Sequence, residues 1–329
     1  MHAHSNRTGA GREHQWGVIL AGGDGKRLLP LTRRIAGDDR PKQFCAVVGD
    51  STLLQQTRSR VSKAVDPGQT LLVMNRVHER FYRDQVADVP LSRLLVQPQN
   101  RGTAVAILYS LMRVRELDSK GLVAFFPSDH HFINEEAFVD QIGLAFSLAE
   151  SNPKKVILLG VEPETPEISY GWIEPGPRLE SPYANSISHV KRFWEKPSET
   201  IASDLMRSGC LWNSFVMVGR VGSFLKLTRQ AIPRLHNSFE SIRHSFSTVK
   251  EADVLSALYA VIPSSSFSDD VLSVRPNGLA VMRGSGFGWS DLGEPCRVLS
   301  ALARKGPKAE HGCNSTREDS AVAIASSTV

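Results

Sequence analysis

The chain has 329 residues, 41% hydrophobic and 22% charged, a balance that fits a soluble globular protein with one large domain or two modest ones and excludes a low-complexity polymer. Its formal net charge of +5 comes from basic residues spread along the chain with no basic–aromatic motif among them, which argues against a nucleic-acid partner. No apolar run of about 18 residues is present to span a membrane, so the cytoplasm is the expected compartment.

The first fifteen residues, which include His2, His4 and His14, are polar and lack the apolar core of a signal peptide; disorder is expected over 1–15. Short apolar runs then alternate with helical periodicities. Val18–Leu20, Leu71–Val73, Leu94–Val96, Val123–Phe126 and Val156–Leu159 read as buried strands. Between them, Leu54, Val61 and Val65, then Val105, Leu108 and Met112, then Phe138, Ile142, Ala145, Phe146 and Ala149 each mark one apolar helix face. This alternation predicts an α/β fold, a Rossmann-like mixed but mostly parallel sheet with helices on both sides. Ligands in such folds bind beyond the carboxyl ends of the strands.

After Gly160, prolines at 163, 166, 175 and 177 make the stretch read as loop-rich. A strand is expected at Val190–Trp194, a short helix at Ile201–Met206, and a strand at Leu211–Val218. Helices at Phe224–Ile232 and Ala252–Val261 precede a last strand at Leu279–Met282. The working domain is 16–304, with the unpatterned tail 305–329 expected to be disordered. The four cysteines, Cys45, Cys210, Cys296 and Cys313, lack the paired spacing of a zinc site or disulfide framework.

Four motifs carry chemistry. The first strand runs straight into Leu20-Ala21-Gly22-Gly23-Asp24-Gly25-Lys26-Arg27, where glycines let backbone N–H groups approach a phosphate chain and two cations offset its charge. The loop has neither a Walker Lys-Ser/Thr ending nor the third glycine of a dinucleotide fingerprint. Pro41-Lys42-Gln43-Phe44 follows, with Lys42 within reach of the same phosphates. Asp129, in Pro127-Ser128-Asp129-His130, sits at a strand's carboxyl end, a good place for a hard cation. Asp291, in Gly288-Trp289-Ser290-Asp291-Leu292-Gly293, is a second such carboxylate. An isolated aspartate of this kind is also a common turn residue. His131 reads as a solvated loop neighbour.

With the glycine loop and Pro-Lys in this order, the chain resembles the sugar-1-phosphate nucleotidylyltransferases, and its Gln-Phe ending resembles the mannose-1-phosphate guanylyltransferases among them. The matches run from about Trp16 to Leu299. The resemblance implies transfer of a nucleotidyl group from GTP, or another nucleoside triphosphate, to a hexose 1-phosphate with release of pyrophosphate. Thymidylyl or uridylyl transfer to another hexose phosphate, or a silent nucleotide-sugar sensor, are the alternatives. It further implies that Leu20, Ala21, Gly22, Gly23, Gly25, Lys26, Gln97, Gly102 and Thr103 bind the nucleotide. Gln97 can offer a base edge both a donor and an acceptor. Gly171, Glu195, Lys196 and Asn213 are implied to bind the sugar phosphate. Mg²⁺ would sit on Asp129 and Asp291, with Arg27 and Lys42 also catalytic. The implied chemistry is in-line displacement by an already anionic phosphate, so positioning and charge neutralisation suffice and no general base is required. Association into a homo-oligomer stays open.

Overall fold

The structure is a computed structural model that describes residues 12–180 and 187–305. The strands are β1 (Gln15–Leu20), β2 (Thr70–Asn75), β3 (Leu94–Gln97), β4 (Leu122–Pro127), β5 (His131–Phe132), β6 (Val156–Val161), β7 (Gly171–Arg178), β8 (Ile187–Glu195), β9 (Leu211–Arg220), β10 (Leu279–Gly284) and β11 (Trp289–Ser290). Among the described residues, nine of them form one sheet in the order β3-β2-β1-β4-β9-β6-β10-β8-β7, and β5 and β11 pair separately. The sheet is mixed as expected, and its parallel part is the β3-β2-β1-β4 half plus β6–β10. All pairings of β7, β8 and β9 are antiparallel.

The central strands are apolar on both faces, which explains their unbroken hydrophobic runs. Val18, Leu71, Val73, Val123 and Phe125 enter one core, while Ile19, Leu72, Met74, Ala124 and Phe126 enter the other. Each fully buried Val, Leu, Ile, Phe or Met side chain among them stabilises the fold by about 1.5–3 kcal/mol. The helices are α1 (Leu29–Ala36), α2 (Leu53–Ser62), α3 (Glu79–Tyr82), α4 (Thr103–Leu117), α5 (Glu135–Ser151), α6 (Glu199–Arg207), α7 (Val221–Ala231), α8 (Pro233–Ser241), α9 (Glu251–Val261) and α10 (Pro295–Lys305). Helices α2 and α5 cover the second face; α4 covers the first and is itself covered by α7, α8 and α9. Its residues Ala104–Val114 are therefore buried all round, more than a single apolar stripe predicts.

Three expectations need correction. The stretch after Gly160 is not all loop: β7 begins at Gly171, and its prolines 175 and 177 lie where the pairing with β8 is irregular. Residues 12–15 are attached to the fold, because Leu122 N donates to His14 O (2.7 Å) and His14 Nδ1 lies 2.8 Å from Asp118 Oδ2. At the other end, α10 runs to Lys305 and packs Val298 and Ala301 against Leu28, Val47, Val48, Leu53 and Leu292. The remaining expected disorder, 1–11 and 306–329, lies outside the described residues.

Candidate active site

Strand β1 delivers the glycine loop to the carboxyl edge of the sheet, where Ala21 N still donates to Val73 O of β2 (2.9 Å). Gln43 Nε2 holds the loop from below by donating to Ala21 O (3.1 Å) and Gly23 O (2.6 Å). The glycines differ in what requires them. Gly25 has φ +61°, and a Cβ there would lie 3.0 Å from Lys42 N. At Gly22 a Cβ would lie 2.9 Å from Gln97 Nε2, so the loop is pressed against the expected base-binding amide. At Gly23 a Cβ meets nothing within 4 Å; packing does not demand glycine there, whereas a ligand lying along the backbone would. Lys26 and Arg27 are exposed, and Arg27 Nη1 reaches Glu294 Oε1 at 3.3 Å.

The two aspartates are brought together by the small ladder outside the main sheet. The antiparallel register His131↔Ser290 sets the residues just before β5 beside those just after β11. Lys42 lies between them: its Nζ donates to Asp291 O (2.8 Å) and Leu292 O (3.2 Å) and pairs with Asp129 Oδ2 (3.1 Å). Here the expectation shifts, because the buried Lys42 spends its donors on protein acceptors and acts on the site by tying Asp129 to the Asp291 turn. His131, expected in a solvated loop, is buried in β5. Its neighbour His130 is also buried; its Nδ1 accepts from Trp289 Nε1 (3.1 Å). Burial, only partly opposed by Asp129 and Asp291, holds the His130 pKa down to about 4, so the ring is neutral near pH 7.

Asp291 Oδ1 accepts from Tyr170 OH (3.0 Å), Gly293 N (2.8 Å) and Arg297 Nη1 (2.6 Å). Burial pushes this carboxyl up, but Arg297 and Lys42 outweigh it and hold it below the ordinary carboxylate range. Arg297, on α10, also pairs with Glu167 Oε2 (2.7 Å), donates to Ser169 Oγ (2.8 Å) and stacks on Tyr170 at 4.4 Å. Arg297 and Tyr170 are not legible as site residues in the sequence, because the contacts of Arg297 with Glu167, Ser169 and Tyr170, and that of Tyr170 with Asp291, join residues more than a hundred positions apart.

Each aspartate keeps one oxygen without a hydrogen bond among the described residues. On Asp129 it is Oδ1, with His130 Nε2 at 3.9 Å, beyond bonding range; on Asp291 it is Oδ2. Among the described residues, no group of three or more His, Cys, Asp or Glu is arranged to hold a metal ion by itself. Two hard anionic oxygens with no soft ligand fit a cation such as Mg²⁺, which keeps waters and takes phosphate oxygens as further ligands.

On the other side, registers Trp172↔Trp212 and Gly171↔Glu195 gather the start of β7, the end of β8 and the start of β9. A Cβ on Gly171 would lie 2.8 Å from Phe193 Cζ and 3.0 Å from Glu195 Oε2. Lys196 Nζ pairs with Glu195 Oε1 at 3.2 Å. Lys196 has φ +44°, and its N donates to Tyr170 O (3.1 Å), so Tyr170 links this cluster to Asp291. Asn213 opposes Gly160 at a bulge where Phe215 takes φ +58°; its Oδ1 accepts from Phe215 N (3.1 Å), which leaves the amide nitrogen for a ligand. Non-glycine residues at positive φ cost about 1–3 kcal/mol each and gather where a site needs them.

Gln97 ends β3 beside Gly22, and its Oε1 accepts from Tyr259 OH (3.0 Å). Gly102 enters α4 with φ +88° and ψ 173°. The segment after α9 clamps it: Ala104 N donates to Ser265 O (3.1 Å) and Ser265 N to Arg101 O (2.9 Å). Thr103 is occupied structurally, its Oγ1 accepting from Phe267 N (2.8 Å). The residues expected to bind nucleotide, metal and sugar phosphate thus form one connected cluster, with Gly102 and Thr103 at its margin beside the Ser265 segment.

The family model for nucleotidyl transferases matches residues 16–305. The chain is 31% identical to the alginate biosynthesis protein AlgA of Pseudomonas fluorescens over 281 residues, covering 84% of this chain and 56% of that protein. It is 30% identical to mannose-1-phosphate guanylyltransferase ManC of Salmonella typhimurium over 282 residues, covering 84% of this chain and 57% of ManC. The chain therefore spans little more than half the length of these relatives. Among solved structures, mannose-1-phosphate geranyltransferase from Thermus thermophilus superposes with a TM-score of 0.75 at 30% identity, covering 87% of this chain and 79% of that one. No described helix is long and apolar enough to cross a membrane.

Proposed function

Because this chain belongs to the nucleotidyl transferase family, we propose that it transfers guanylyl from GTP to mannose 1-phosphate, yielding GDP-mannose and pyrophosphate in the cytoplasm. The observation that supports this most is the connected cluster around Tyr170 and Lys42, which sets the glycine loop, two aspartates and the Glu195–Lys196 pair at one edge of the sheet. The guanylyl choice draws on the likeness to ManC.

In this reading the loop from Gly22 to Arg27 lies along the triphosphate, and the exposed Lys26 and Arg27 offset its charge. Lys196 receives the sugar phosphate, while Glu195 and the Asn213 amide address hexose hydroxyls. The attacking oxygen bears charge already, so the residues align it behind the α-phosphorus and stabilise the departing pyrophosphate. Mg²⁺, held by Asp129 and Asp291, would supply further neutralisation of phosphate charge.

A pyrophosphate-release assay across four nucleotides and several hexose 1-phosphates tests the reading. GTP with mannose 1-phosphate is expected to have the highest specificity constant, with about tenfold or more over ATP. A preference for dTTP or UTP with glucose 1-phosphate would overturn the guanylyl assignment and keep the transferase chemistry. Separate roles for the cations are also expected. Lys196→Ala should chiefly raise KM for the sugar phosphate, while Arg27→Ala should chiefly impair nucleotide use. Identical profiles toward both substrates would show that the two side chains share one role.

A further inference from the structure

The sequence leaves Gln97 able to offer a base both a donor and an acceptor, and the fold fixes which of the two faces the glycine loop. Tyr259, near the end of α9, is fully buried and donates its hydroxyl to Gln97 Oε1 at 3.0 Å. Tyr259 cannot drift from this position. Its backbone oxygen accepts from Gln99 Nε2 (2.9 Å) and Arg101 Nε (2.9 Å), and its ring packs edge-on against Phe239 at 6.2 Å. The reverse amide orientation would turn Nε2 to the phenol and take away the acceptor that its proton has here, Gln97 Oε1, at the cost of a buried donor's lost hydrogen bond. The phenol also stays protonated, since burial pushes its pKa well above the ordinary tyrosine value. With Oε1 occupied, the amide nitrogen faces the half-buried Gly22 of the nucleotide loop.

We propose that Tyr259 is a specificity-determining positioning residue: by fixing the Gln97 amide, it presents an N–H donor beside Gly22 and selects nucleobases that offer a carbonyl oxygen there. Guanine, uracil and thymine offer one; adenine and cytosine place an amino group at the equivalent carbon and set donor against donor. The proposal rests on the reading that the base lies at Gln97, and it is indifferent to which keto base is preferred.

The test compares GTP and UTP with ATP and CTP in wild-type protein, Tyr259→Phe and Gln97→Glu, both by turnover and by equilibrium binding of the nucleotide alone. Wild type is expected to favour keto over amino nucleotides. Tyr259→Phe should lower that ratio about tenfold, by freeing the amide to turn, with a smaller change in kcat for GTP. Gln97→Glu presents an acceptor in place of the donor and should shift the ratio toward ATP and CTP; it carries the test if Tyr259→Phe does not fold. An unchanged keto-to-amino ratio in a folded variant overturns the proposal. Keto-selective binding without turnover would remove the transferase reading while leaving the role of Tyr259 in place.

Discussion

Asp129→Asn and Asp291→Asn are each expected to lower turnover by at least about two orders of magnitude, with far smaller changes in thermal stability. The loss corresponds to about 3 kcal/mol or more of transition-state stabilisation, a usual scale for removing charge preorganised around a phosphoryl group. The two variants should differ in their side effects. Asp129 faces partial solvent, and Lys42 retains the carbonyls of Asp291 and Leu292 when that carboxylate is neutralised. Asp291 is more enclosed and anchors Arg297, Tyr170 and the Gly293 turn, so its neutralisation also loosens the join between α10 and β7. Direct metal binding, read by Mn²⁺ paramagnetic resonance with nucleotide present, should weaken in both. Wild-type turnover by both variants in chelator would refute metal dependence through this pair.

Gly102→Ala is expected to destabilise the fold by about 3–5 kcal/mol and to abolish nucleotide selectivity. Its φ and ψ lie in a region almost closed to residues with a Cβ, which costs about 1–3 kcal/mol. The added Cβ would overlap the Ser265 carbonyl oxygen, a backbone atom that cannot swing aside. Relief requires giving up the Ala104–Ser265 and Ser265–Arg101 hydrogen bonds, each worth about 0.5–1.5 kcal/mol. Urea denaturation should show a lower midpoint at an unchanged slope. Gly23→Ala is the matched control: its Cβ meets nothing in the protein, so stability should hold while KM for nucleotide rises. Equal stability of Gly102→Ala and wild type would show that the Ser265 segment moves freely.

Several parts of this protein are written in its sequence because they depend on local chemistry. The unbroken apolar runs of β1, β2, β4 and β6 identify buried strands, since their two faces feed two cores. The glycine loop is legible because Gly25 needs positive φ, a local backbone demand that selects glycine directly. The aspartates are visible as carboxylates at strand ends, with the family resemblance adding their pairing.

The partners were decided by the tertiary structure alone, since a partner distant in sequence leaves no local mark. That Lys42 joins Asp129 to Asp291, rather than pointing freely at phosphates, follows from the His131↔Ser290 register. Prolines at 175 and 177 resembled loop signals because β7 takes them at irregular pairings, which only its neighbour β8 reveals. Arg297 and Tyr259 have no motif at all. Each acquires its long-range partners when a late helix packs against an earlier strand or loop, Arg297 meeting Glu167, Ser169 and Tyr170, and Tyr259 meeting Gln97, where burial makes a hydrogen bond costly to leave unmade.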